Sequence, residues 1–279
     1  MPARRPVILA SPARVAAGTF RSSARGSGVH SRLVPFHFVE CSFRYSRRIP
    51  VLNRLNLEFG SGSCVLLGPH GAGKSTLLGL AASALVPWSG AVRFRGLDAS
   101  DGRDRAQYRR SVGWLPEETR PIPGLTVREQ VAHAGCLRGL TKAESWAGAP
   151  RALARSGLAA LCAHRTHQLD AEQLRRLGLA QALVHGAEVL LVDEPAAGLS
   201  PRQRDRFSGL LAGLGSELPV IVSTERPEDL RQTVSLYDEV VVLEAGLPRY
   251  QGPADDYWAS LTATAAYDGG STGRGVYEV

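Results

Sequence analysis

Lysine is nearly absent from this chain. Of 33 basic residues among 279, two are lysine, Lys74 and Lys142, and the other 31 are arginine. No apolar run approaches the ~18 to 20 residues needed to span a bilayer, so any membrane role is expected to come through a partner. Cys41, Cys64, Cys136 and Cys162 are too scattered for C-x-x-C or zinc-ligand spacing, and the expectation is four reduced, mostly buried cytosolic thiols. No internal repeat is present, which excludes a duplicated architecture. Acid is missing from the start of the chain: residues 1–39 hold six Arg and no Asp or Glu. The remainder carries 27 basic against 26 acidic residues, so the net charge of +7 and pI near 9.6 do not describe a basic folded surface. Nucleic acid is therefore not an expected partner.

Residues 1–34 are rich in Arg, Ala, Ser and Gly without apolar periodicity, and are expected to be a disordered basic tail. An acid-free, Arg- and Ser-rich start also has the composition of an organelle transit peptide. A folded body is expected over 35–262, and a Gly- and Ser-rich flexible tail over 263–279.

What is there begins with Gly68 to Thr76, GPHGAGKST, a full match to the phosphate-binding loop: glycine, four residues, glycine, lysine, then serine or threonine. The scarcity of lysine gives Lys74 its weight, since composition alone would rarely place one there. An apolar run, Cys64 to Leu67, predicts a buried strand entering the loop, and Ser75 to Ala82 predicts a helix leaving it. Gly68, Gly71 and Gly73 permit a tight turn with inward-facing N–H groups, flanked by Pro69, His70 and Ala72, and the helix start favours anionic phosphate. Lys74 supplies a point charge, Ser75 a hydroxyl for Mg²⁺, and Thr76 completes the motif. The ligand class is a nucleoside triphosphate.

Val189 to Pro195, VLLVDEP, is an apolar strand ending in two carboxylates. A parallel strand beside the loop would deliver Asp193 to Mg²⁺ and Glu194 to an attacking water.

With these two motifs in place, residues 36 to 260 resemble the ATP-binding subunits of ABC transporters. The resemblance implies an α/β fold of the P-loop NTPase kind: a RecA-like core with a mainly parallel sheet, an antiparallel β subdomain, and an inserted α-helical subdomain over about 117–170. Phe43 to Gly62 looks like the family's antiparallel strands. Tyr45 falls where an aromatic stacks on adenine, or else faces the core as a strand tyrosine. Val112 to Val131 looks like the glutamine loop, with Glu117 in place of the glutamine, and Glu117 to Val127 would form part of the surface that meets a membrane subunit. The resemblance implies ATP and Mg²⁺ as ligands, a separate transmembrane permease subunit as partner, and a homo- or heterodimer of ATP-binding subunits. It places the chain on the cytoplasmic face of a membrane. DNA-repair ATPases with the same cassette need a long coiled-coil insertion, and only 52 residues separate Glu117 from Asp170.

Several positions depart from the family pattern. The LSGGQ signature aligns with Leu169 to Gln173, which reads LDAEQ. Asp170 and Glu172 offer acceptors where donors to a partner's γ-phosphate are needed. A carboxylate ~4 Å from a phosphate charge costs on the order of 4 kcal/mol at an effective dielectric of ~20. Asp170 and Gln173 also have capping-box spacing, so the helix start is expected to survive, capped by its own carboxylate. Ser200 stands where the family has aspartate, and Glu225 where it has its switch histidine. An ionised Glu225 would repel the γ-phosphate, so Glu225 would have to be protonated, turn away, or bind Mg²⁺ or water. The expectation is an ATPase that binds MgATP and hydrolyses it poorly alone, or an ATP-occupancy switch with little turnover.

Overall fold

The computed structural model describes residues 36–46, 49–60, 62–230 and 234–268. The expected basic tail, 1–34, lies outside the described residues.

The chain opens with β1 (Phe36–Phe43), β2 (Leu52–Glu58) and β3 (Cys64–Leu67), followed by α1 (Lys74–Ala81), β4 (Ser89–Phe94) and β5 (Leu97–Asp98). Next come α2 (Arg105–Ser111), β6 (Val112–Leu115), α3 (Val127–Leu137), α4 (Lys142–Arg155) and α5 (Ala171–Leu183). β7 (Val189–Asp193), α6 (Pro201–Gly215), β8 (Val220–Thr224), β9 (Glu239–Glu244), β10 (Leu247–Pro253) and α7 (Ala254–Asp268) complete it. α7 runs past the expected end of the folded body at 262, and 269–279 lie outside the described residues.

Two sheets form. One is four-stranded and antiparallel, in the order β2-β1-β4-β5. The other has the order β10-β9-β3-β8-β7-β6, with every pair parallel except β10 on β9. β3, β7 and β8 are buried at every position, as a parallel sheet covered on both faces requires. Their side chains alternate between two cores with the period of a strand. Val65, Leu67, Leu190, Val192, Val220 and Val222 pack with helices α3 to α6. Cys64, Leu66, Val189, Leu191 and Ile221 pack instead with α1 and the antiparallel sheet.

This arrangement places β3 at the centre, with β8 and β9 as its neighbours and β7 beside β8. The carboxyl ends of β3, β7 and β8 therefore open at one edge, where the loops after an α/β sheet bind ligand. The helical insertion is entered by an irregular segment: residues after Pro116 form neither helix nor strand until Thr126 caps α3. Gln130, 1% exposed, holds that segment by accepting from Ile122 N–H at 2.8 Å and donating to Arg120 O at 2.9 Å. The expectation of mostly buried cysteines fails for half of them. Cys41 and Cys64 are buried, but Cys136 is half-buried and Cys162 exposed, because the latter two lie on the thin helical insertion rather than in the sheet cores.

Candidate functional site

The phosphate loop leaves β3 at Gly68 and becomes α1 at Lys74. Gly73 (φ 101°) and Gly71 (φ 77°) adopt left-handed backbone that a side chain would strain. At Gly68 the reason is space: a Cβ there would lie 2.2 Å from Leu243 O of β9. The loop is thus pressed against the sheet.

That cavity has a volume of about 580 Å³ and is lined by Tyr45, His70, Lys74, Ser75, Glu117 and Glu194, among others. Its size suits a nucleotide. Thr76, buried, accepts or donates at 3.2 Å to the Tyr45 hydroxyl, which holds the largely exposed tyrosine ring at the mouth. Tyr45 does not face the core. Its ring meets Phe43 edge-on, with centroids 5.0 Å apart, and keeps a face available to a planar base. Pro69 and Ala72 contribute through the backbone, Pro69 O to Lys74 and Ala72 N–H to Pro69 O.

Lys74 is 5% exposed and fully engaged. Its ammonium donates to Gly68 O at 2.8 Å and Pro69 O at 3.2 Å. It also lies 3.3 Å from Glu194 Oε1 and 3.8 Å from Glu225 Oε1. Glu225 in turn meets His70 Nδ1 at 3.0 Å. Glu225 therefore does not turn away, one of the outcomes its sequence position left open.

Ser75 Oγ donates to Asp193 Oδ1 at 3.2 Å, joining the loop to the end of β7. Ser223 Oγ, on β8, donates to the same oxygen at 2.5 Å and accepts from Glu194 N–H at 3.1 Å. Glu194 sits at φ 43°, a strained conformation for a non-glycine residue and one that marks functional sites. Burial pushes its carboxyl up from the ordinary range, Lys74 opposes the rise, and Glu225 and Asp193 add to it. The oxygen donors of Ser75 and Asp193 suit Mg²⁺, which takes one or two protein groups and completes its shell with phosphate and water. Among the described residues no cluster of three or more His, Cys, Asp or Glu forms a metal cage of its own.

Arg175 was not singled out in the sequence, yet it ties the site together. Its guanidinium, 4% exposed, donates to Pro116 O at 2.6 Å, Glu117 O at 2.5 Å, Asp193 O at 3.0 Å and Glu194 O. One side chain of α5 therefore fixes the segment after β6 to the carboxylate end of β7. The signal was present: buried positions of α5 recur at Glu172, Arg175, Leu179 and Ala182, so two charges occupy a helix seam that should be apolar. Ser223 was also missed, being one hydroxyl at the end of an apolar strand.

At the start of α5 the capping box forms as expected. Asp170 accepts from Gln173 N–H at 2.8 Å, and Gln173 Oε1 accepts from Asp170 N–H at 3.0 Å. The expectation for Glu172 needs correction. It is 6% exposed, not projecting, and accepts from Arg176 at 2.8 Å and from Arg206 of α6. These arginines hold its carboxyl below the usual range despite burial. Ser200 caps α6 and donates its N–H to Gln203 Oε1 at 2.9 Å.

The sequence profile of the ABC transporter family matches residues 52–197, over half the chain. The macrolide export ATP-binding/permease protein MacB of Azoarcus sp. is 30% identical over 256 residues, which span 88% of this chain and 39% of MacB. The chain thus spans about two fifths of MacB. The thiamine import ATP-binding protein ThiQ of Mesorhizobium japonicum is 33% identical over 261 residues, 90% of this chain and 96% of ThiQ. Among solved structures, cbiO1 from Clostridium perfringens, part of the ABC transporter complex cbiONQ, superimposes with a TM-score of 0.67 at 25% identity. It covers 83% of this chain and 93% of its own.

Proposed function

Because this chain belongs to the ABC transporter family, we propose that it is the ATP-binding subunit of a transporter, binding MgATP and coupling its hydrolysis to a separate transmembrane subunit. The observation that supports this most is the convergence of Lys74, Ser75, Asp193 and Glu194 on one nucleotide-sized cavity. Among the described residues no helix is long and apolar enough to cross a membrane.

The roles follow from position. The loop N–H groups and Lys74 grip the β- and γ-phosphates, and Tyr45 offers its ring to the base. Ser75 and Asp193 would hold Mg²⁺, which supplies charge neutralisation across the phosphates. Glu194 accepts a hydrogen bond from the attacking water and orients it in line with the γ-phosphorus. Entry of the triphosphate draws Lys74 away from Glu194 and frees that carboxylate for the water. Glu117 is held by its backbone at the cavity edge, on the segment expected to meet the membrane subunit.

A switch-like reading, with ATP occupied but slowly turned over, rests on one observation: the α5 start spends its donor on its own cap through Asp170 and Gln173. Turnover by the purified chain decides between the two. Rates well below ~1 s⁻¹ that rise when a membrane partner is added support a partner-dependent ATPase. Fast turnover by the isolated chain, abolished by Glu194→Gln, overturns the impairment. Failure to bind ATP overturns both.

A further inference from the structure

Serine is an unexpected residue inside a parallel strand covered on both faces. β8 is apolar up to Val222 and buried at all five positions, and Ser223 within it is 0% exposed. A buried hydroxyl costs free energy unless it is hydrogen-bonded. The strand register decides what this one meets. β8 runs parallel to β7 with Ser223 beside Asp193, on the face that Leu191 and Ile221 turn toward α1. Ser223 therefore stands behind the carboxylate end of β7 and is not among the residues that line the nucleotide cavity.

One hydroxyl serves two neighbours there. Ser223 Oγ donates its single proton to Asp193 Oδ1 at 2.5 Å and accepts from Glu194 N–H at 3.1 Å. The other donor to Asp193 Oδ1 is Ser75 Oγ at 3.2 Å. The two donors differ in what else they can do: Ser75 lines the cavity and is itself suited to Mg²⁺, whereas Ser223 is sealed away from it. Both hydrogen bonds to the carboxylate fall on Oδ1, which leaves Oδ2 for another partner. The residue that follows, Glu194, has φ 43°, and its N–H is the group that Ser223 holds.

We infer that Ser223 is a positioning residue, which holds the Asp193 carboxylate in place as a ligand for Mg²⁺ and, through the same oxygen, fixes the backbone that aims Glu194. It touches neither nucleotide nor ion and acts only through these two residues. A hydrogen-bond partner behind a metal ligand orients that ligand, and losing it typically costs roughly 10- to 100-fold in metal affinity. The inference rests on the proposed function, because it assigns a support behind that site.

The test is Mn²⁺ titration of the full chain, read by electron paramagnetic resonance with a non-hydrolysable ATP analogue at saturation, for wild type, Ser223→Ala and Ser223→Cys. Mn²⁺ takes the same oxygen donors as Mg²⁺. Affinity for the analogue without metal is measured alongside by calorimetry. Ser223→Ala is expected to bind Mn²⁺ ~10-fold more weakly, while its affinity for the metal-free analogue changes less than ~2-fold. Ser223→Cys keeps nearly the same shape with a weaker donor and should fall between wild type and Ser223→Ala. Turnover of Ser223→Ala should stay below wild type at saturating Mg²⁺, because Glu194 N–H has lost its acceptor; full recovery there overturns the Glu194 half of the inference. Unchanged Mn²⁺ affinity in Ser223→Ala overturns the metal half. Equal losses with and without metal in both variants overturn the whole, since they mark a residue that only packs the strand. Wild-type protein that binds neither the analogue nor Mn²⁺ removes the proposed function itself, an outcome distinct from wild type that binds both and is indifferent to Ser223.

Discussion

The phosphate loop with β7 and the start of α5 are two faces of one protein built on opposite plans. In the first, glycine backbone, small hydroxyls and one lysine leave polar groups aimed at an open cavity. Ser75 and Asp193 meet at 3.2 Å, and Lys74 is held by carbonyls and carboxylates that a ligand can displace. In the second, both carboxylates are satisfied internally. Asp170 caps its own helix, and Glu172 is buried between Arg176 and Arg206. The difference teaches that loss of a motif need not leave a repelling surface. Two carboxylates replaced the signature, and the fold neutralised one with arginines and used the other as a cap.

The largest effect that would break this contrast lies on the gripping side. Lys74→Ala should abolish detectable MgATP binding, and Glu194→Gln should retain binding while lowering turnover by ~10² to 10³-fold, as for removal of a positioned group in other enzymes. Paired binding and steady-state rates check this. Arg175→Met comes next. It leaves carbonyls of Pro116, Glu117, Asp193 and Glu194 without their donor, so a loss of about 2 to 4 kcal/mol in urea unfolding is expected. Turnover should fall more than ATP affinity, because the loop itself is untouched.

On the closing side, Glu172→Gln should cost about 1 to 2 kcal/mol at neutral pH, since Arg206 is largely exposed and its pairing is screened. The sign follows from a carboxyl held below its ordinary range. Its stabilisation is present above the unfolded-state pKa and lost as pH falls through the folded one, so wild type and variant should converge in acid. At neutral pH the smallest effect concerns His185, which burial, aided by Arg138 and Arg110, pushes down to about 4 from 6.5. A depressed pKa means stability is intact above about 6.5 and declines as pH falls toward about 4. His185→Gln should flatten that stretch of the stability–pH curve.

Much of the gripping face was legible because its chemistry is local. Gly68 to Thr76 is contiguous, β3 and β7 read as apolar strands, β3 with the boundaries found, and Asp170 with Gln173 predicted its cap from spacing alone. The groups that were not legible act across the fold. Ser223 reaches Asp193 from the neighbouring strand, and Arg175 reaches two segments that the sequence separates by more than its own helix. Glu172 was misjudged because one of its two neutralising arginines, Arg206, lies on another helix and joins Arg176 of its own helix to bury it. The His70–Glu225 contact was invisible for the same reason, although each residue had drawn notice.

The most direct measurement is the self-association of the chain with and without MgATP, by sedimentation velocity, for wild type and for Asp170→Ser with Glu172→Gly. If the α5 start is closed on itself, wild type binds MgATP yet remains largely monomeric at micromolar concentration, and the double variant shifts toward an ATP-dependent dimer. A wild-type chain that dimerises fully with MgATP, or a double variant that is no more dimeric than wild type, would contradict the contrast between an open grip and a self-satisfied closing face.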